Sequence, residues 1–156
     1  MTEKELYMKM AYAEAKSAYE KGEIPIGAVI VKDGEVIAKA HNLRETEKNS
    51  LNHAEIIAID KACKEIGGWR LSDCDMYVTL EPCHMCIGAI IQSKIKNLYF
   101  GAYDKKGGAV FSIDEVPKNQ KLCHRLECFG GILEEECSEL LKDFFQSLRH
   151  AKNKNN

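Results

Sequence analysis

At 156 residues, 45% of them hydrophobic and 29% charged, the chain can bury one core without staples and reads as one folded domain, not as a disordered or fibrous protein. No segment approaches the roughly 20 uninterrupted apolar residues of a membrane span, and charges run through the opening MTEKELYMKMAYAEAK, so a cytoplasmic protein is expected. A net charge of −2 argues against a general polyanion binder, though not against a local basic patch, and the odd count of seven cysteines argues against a disulfide framework.

Thr2 and Glu5 form a capping-box pattern ahead of Leu6, Met10 and Ala13 at helical spacing, and Gly22 stops the helix they predict. After Pro25, IGAVIVK predicts a buried strand, Asp33-Gly34 a tight hairpin turn and EVIAKAH the returning strand. Asn52 reads as the N-cap of a second helix, carried by Ala54, Ile57, Ala58 and Ala62 and ended by Gly67 and Gly68. CDMYVTL then predicts a strand, PCHMCIGAIIQSK a helix with Pro82 in its first turn, and NLYFGAY a strand. Such a unit implies a parallel, right-handed crossover. DKKGGAVFS and the stretch around Pro117 read as loop, and RLECFG as a short strand. Leu133 to Arg149 predicts a long amphipathic helix through Cys137, Leu140, Leu141, Phe144 and Leu148. The order αββαβαββα predicts an α/β protein, a three-layer α/β/α sandwich around a mixed, mostly five-stranded sheet. One domain is expected over residues 1–150, with AKNKNN at 151–156 as a polar tail.

Cys83 and Cys86 stand three apart at a helix start, where free N–H groups and the helix dipole favour thiolates, so both are expected to ionise easily. Their spacing alone fits a redox pair, half of a structural zinc site, or two ligands of a catalytic metal. His53 in NHAEI favours the third, because a Cys₂His set leaves zinc's fourth tetrahedral position open. Side chains at i and i+2 do not share a helix face, so His53 and Glu55 converge only if His53 opens its helix, where Asn52 as N-cap puts it. Glu55 is then the expected proton shuttle, a general base that becomes a general acid. A redox pair lacks thioredoxin-like surroundings, and a zinc ribbon lacks its second C-x-x-C. Cys123, His124 and Cys128 have no standard ligand spacing and, with Cys63, Cys74 and Cys137, are expected to be small packing residues.

HAE at 53–55 followed by PCHMC at 82–86 resembles the H-x-E and P-C-x-x-C signature of the zinc-dependent nucleobase deaminases. Within that superfamily the chain resembles the bacterial tRNA-specific adenosine deaminases almost end to end, through EIPIGAVIV, HNLRET, HAEIIAI, RLSDCDMYVTLEPCHMCIGAII, IKNLYFGAYDKKGGAVFS and LLKDFFQSLR. YVTLEPC, FGAYDKKGGA and DFFQSLR favour that branch over the guanine deaminases, which share HAE and PCxMC. Two places depart from the pattern: KNSLN precedes the histidine where Asp-Pro-Thr/Ser-Ala is usual, and His84 stands where Val or Pro is common. Both touch the rim of the site and bear on substrate preference.

The resemblance implies a cytidine deaminase-like fold, one zinc ion per subunit on His53, Cys83 and Cys86, no organic cofactor, and Glu55 as the catalytic carboxylate. It implies hydrolysis of adenosine to inosine at the wobble position of a tRNA anticodon, with arginine tRNA the expected substrate, and release of ammonia. Asn42 should hydrogen-bond the flipped base, and Ile26 and Gly27 should line its slot. A homodimer is implied, with the anticodon stem-loop touching both subunits. Lys105, Lys106, Arg149, Lys152 and Lys154 are candidates for phosphate contacts, and Asp104 and Phe145 for the RNA-facing rim. The alternative enzyme is a deaminase of a free base or nucleotide such as guanine or deoxycytidylate. The alternative class is a zinc-stabilised interaction module without catalysis, against which the intact Glu55 speaks.

Overall fold

Strand pairing decides what the helices cover. In the computed structural model, which describes residues 1–154, β1 (Gly27–Lys32), β2 (Glu35–His41), β3 (Cys74–Leu80), β4 (Asn97–Ala102) and β5 (Glu127–Phe129) form one sheet in the order β2-β1-β3-β4-β5. β1 runs antiparallel to both β2 and β3, whereas β3, β4 and β5 are parallel, so the sheet is mixed as the sequence predicts. The β1–β2 turn holds Asp33 at φ 50° and Gly34 at φ 78°, the left-handed pair that a two-residue hairpin needs.

Helices α1 (Glu3–Glu20), α2 (Ala54–Ile66), α3 (His84–Gln92) and α4 (Glu134–Lys154) complete the chain, with a short 3₁₀ turn at Val116–Lys118. Alternation along the strands sorts the two faces. Ala28, Ile30, Met76, Val78, Leu98 and Phe100 join Ala54, Ala58 and Ala62 of α2 and Ile87, Ile90 and Ile91 of α3 in the larger core. Val29, Val31, Tyr77 and Tyr99 meet Met8 and Ala11 of α1 on the other face. There Tyr19 of α1 donates to Asp143 of α4 at 2.9 Å and stacks edge-on against the buried Phe144, tying the two helices together. The three layers are those predicted.

Three helices differ from the sequence reading at their ends. His53, extended at φ −72° and ψ 154°, is the N-cap of α2 in place of Asn52, because Asn52 spends its backbone groups on Asn49 and Leu43 in the preceding loop. Cys83, extended at φ −76° and ψ 179°, is the N-cap of α3, so Pro82 precedes the helix and does not sit in its first turn. α4 begins after Leu133, which is left-handed at φ 54°, and continues past Arg149 to Lys154, taking in part of the expected tail; Asn155 and Asn156 lie outside the described residues.

Candidate metal centre and active site

Both N-caps belong to the same site. β3 and β4 are parallel neighbours, and α3 starts directly beyond the carboxyl end of β3, where open α/β sheets gather their ligands. α2 starts beside it and packs on α3. The Nδ1 of His53 lies 3.5 Å from the Cys86 Sγ and 3.8 Å from the Cys83 Sγ, and all three donor atoms fall within 4.8 Å of one another. A tetrahedral zinc with Zn–S of about 2.3 Å and Zn–N of about 2.0 Å puts its nitrogen and sulfur ligands about 3.6 Å apart. The donor set therefore fits zinc in both chemistry and spacing. Among the described residues this is the one cluster of three such donors.

The two thiols are not equivalent, although the sequence predicts easy ionisation for both. Hydrogen bonding from Cys86, opposed by burial and helped by the His53 ring, holds Cys83 down at about 3. Cys86, bonded to that sulfur and desolvated, is driven far up. Two adjacent sulfurs compete for one proton, and the more exposed Cys83 keeps the negative charge. The hydrogen bond to Cys83 raises His53 above its ordinary value despite burial.

Glu55 stands in the first turn of α2, two residues after His53, and only 4% of its surface is exposed. Burial, with the Cys83 charge adding to it, lifts its carboxyl to about 7. A carboxyl balanced near neutrality can both accept and donate a proton, as the shuttle role requires. Asn42, at the end of β2, is buried; its Oδ1 accepts the Arg44 N–H at 3.2 Å and its Nδ2 donates to the Ile24 carbonyl at 3.4 Å.

A groove of about 1110 Å³ runs between the end of β3 and α4. Ile26, Asp104, Lys106, Phe145 and Arg149 share its wall, and so do Lys105 and Lys152. The groove reaches Leu80, which leads through Glu81 and Pro82 into Cys83. Gly27 turns instead to α1: a Cβ there would overlap the Ala11 carbonyl and come within 2.5 Å of the Ala15 nitrogen. Its smallness serves the approach of helix to strand.

Sequence reasoning passed over two residues. Lys142 lines the groove from the α4 face of Phe145 and Arg149, and the spacing 142, 145, 149 could have shown it. Glu81 is 2% exposed and accepts N–H groups from the 104–112 loop; nothing local signals this beyond a charge before a proline. The expected packing cysteines divide: Cys74 and Cys137 are buried, Cys63 and Cys128 half-buried. Cys123 is exposed and takes a hydrogen bond from the Lys94 ammonium at 3.1 Å, so it is not a packing residue: its loop lies on the surface, outside the sheet. His124 donates to the Ile95 carbonyl at 2.7 Å, and His84, exposed at the start of α3, faces Asp114 at 3.1 Å.

The fold and the His-Cys-Cys-Glu arrangement define a deaminase with the cytidine deaminase-like architecture, and residues 2–149 match the MafB19-like deaminase family. The chain is 53% identical over 152 residues to the tRNA-specific adenosine deaminase of Bacillus subtilis, covering 97% of this chain and 94% of that one. It is 48% identical over 147 residues to the corresponding protein of Aquifex aeolicus, covering 94% and 97%. A chain solved in studies of A-to-I editing by tRNA:A34 deaminases at the wobble position of transfer RNA superposes at TM-score 0.84 with 44% identity, covering 86% of this chain and 98% of that one. The protein belongs to the tRNA-specific adenosine deaminase family.

Proposed function

We propose that this protein hydrolyses the 6-amino group of the wobble adenosine in a tRNA anticodon, leaving inosine and releasing ammonia, and that arginine tRNA is its substrate. The observation that carries the reading is the buried Glu55 directly beside His53, Cys83 and Cys86, with a groove of cationic and aromatic side chains leading to the same strand end. His53, Cys83 and Cys86 would hold one zinc ion, which when bound supplies the Lewis acidity that makes water a nucleophile near neutral pH.

The chain's own residues do the rest. Glu55 takes one proton of the attacking water and gives it to the ring nitrogen, then takes the second from the new hydroxyl and gives it to the amino group, which leaves as ammonia while the carbonyl forms; that cycle suits a carboxyl poised at about 7. Asn42 is held by the Ile24 carbonyl and the Arg44 N–H, which leaves one amide hydrogen and one carbonyl lone pair to meet the base. Ile26 offers an apolar surface for the extruded ring to lie on, and an anticodon loop presents bases already unstacked. Lys106 and Arg149 would contact phosphates, and Asp104 and Phe145 would form the rim. The reading includes a homodimer whose two subunits share the stem-loop, and a cytoplasmic location; among the described residues no helix is long and apolar enough to cross a membrane.

The test is inosine formation in an anticodon stem-loop of arginine tRNA with adenosine at the wobble position, run beside free guanine, adenosine and deoxycytidylate with Glu55→Ala as the control. Inosine in the RNA, absent from the control, is expected. Ammonia from a free compound alone would instead make the protein a small-molecule deaminase.

A further inference from the structure

We propose that Glu81 is a positioning residue for the RNA: its carboxylate pins the loop of residues 104–112 so that Asp104, Lys105 and Lys106 meet the anticodon loop in one fixed arrangement. The inference rests on the tRNA reading above and adds to it a residue that touches neither metal nor substrate. One carboxylate accepts the backbone N–H groups of Asp104 at 3.1 Å, Val110 at 3.1 Å, Phe111 at 2.8 Å and Ser112 at 3.0 Å, together with the Ser112 hydroxyl. Among the described residues no cation pairs with it. A buried carboxylate without a counter-ion is costly unless its lone pairs are filled, and about four acceptor sites against five donors leave none open.

The donors come from both ends of the loop, Asp104 at one and residues 110–112 at the other, so a single side chain closes it. Within the closed loop the Asp104 Oδ1 accepts the N–H groups of Lys106 and Gly107, each at 3.1 Å, which fixes the lysine's backbone. The Ala109 N–H donates to the Pro82 carbonyl at 2.9 Å, a second tie to the same segment. At Gly108 the loop crosses over the carboxylate itself, and a Cβ there would stand 2.5 Å from the Glu81 Oε2. Glu81 lies between the end of β3 and Cys83, so the metal ligand and the groove wall share one anchor. Glutamine at this position would turn an NH₂ toward backbone donors and spread the loop while leaving the strand and α3 in place.

The experiment measures kcat and KM on the anticodon stem-loop, bound zinc and thermal melting for the wild type, Glu81→Gln, Ser112→Ala, Lys106→Ala and the doubles with Lys106→Ala. Glu81→Gln should keep its zinc and its kcat within about threefold while KM rises about tenfold, the effect of losing one hydrogen bond to a charged group. Ser112→Ala should move KM the same way by less. The decisive readout is coupling: Lys106→Ala should raise KM in the wild-type background and add almost nothing once Glu81 is Gln, because the lysine is already displaced. An unchanged KM in Glu81→Gln, loss confined to kcat or zinc, or full additivity with Lys106→Ala would overturn the proposal. If Glu81→Gln does not fold, the Ser112→Ala and Lys106→Ala pair decides by the same coupling. A wild type that makes no inosine in the stem-loop sinks the tRNA reading instead, an outcome separate from any of these.

Discussion

The His53 Nδ1 lies 3.5 Å from the Cys86 Sγ across 33 positions of sequence, because α2 and α3 begin at the same end of the sheet. Neither residue alone offers a metal site; the junction of two helix starts brings together a donor set that fits one. His53→Ala should therefore lower zinc affinity by more than about a hundredfold, since loss of a mere outer-shell partner already costs 10–100-fold. Competition against a chelator of known affinity, followed by metal analysis, checks this.

Glu55→Gln keeps the shape and burial of the side chain and removes its exchangeable proton. kcat should fall about 10²–10⁴-fold, the usual contribution of a positioned acid–base group, while bound zinc stays at the wild-type level. Single-turnover inosine formation and metal content on the same preparation give both numbers. Loss of zinc in this variant would remove Glu55 from the proton-transfer role.

All five strands and four helices were legible from their periodicity, and their ends were legible where a turn or stop signal such as Asp33-Gly34 or Gly67 follows. The three metal-site candidates were legible because short motifs fix them at helix starts. The α2 cap slipped by a residue because Asn52 is committed to the backbone of Asn49 and Leu43, which no local pattern announces. Glu81 escaped notice for a stronger form of that reason: its donors lie 23 to 31 residues further along the chain. The Cys123–Lys94 contact, 29 residues apart, is a third such case.

Gly27→Ala would drive a methyl group into the Ala11 carbonyl and against the Ala15 nitrogen of α1. Neither backbone atom can yield without lifting the helix from β1. We expect a loss of about 3 kcal/mol, at the upper end of overpacking costs, read as a lower urea midpoint with an unchanged slope. Smaller losses would mean that α1 slides on the sheet.

Glu23 supplies a pH-dependent share of stability. Burial pushes its carboxyl up, but hydrogen bonds from Thr46 and Glu45 and the nearby Arg44 charge outweigh this and hold it below the ordinary range. The unfolded chain, near 4.3 as an approximate ordinary value, then binds the proton more readily than the folded one. The contribution is present above that value and is lost as pH falls through the lower folded one. Glu23→Gln should flatten the acid side of a plot of urea midpoint against pH while lowering the midpoint at neutral pH.

Lys142 and Phe145 face the same groove from one side of α4 but would hold RNA by different physics. A lysine on a phosphate releases counterions, so removing it should make the fall of affinity with salt shallower by about 0.7 in a log–log plot for a single strand. A phenylalanine under a base contributes stacking of about 1–3 kcal/mol, which salt hardly touches. Lys142→Ala should thus weaken stem-loop binding mainly at low salt and reduce the slope, whereas Phe145→Ala should weaken it at every salt concentration with the slope unchanged. Fluorescence anisotropy of a labelled stem-loop over a salt series separates the two. Equal slopes in all three proteins would place Lys142 off the phosphate path and leave Arg149 and Lys106 to carry the charge.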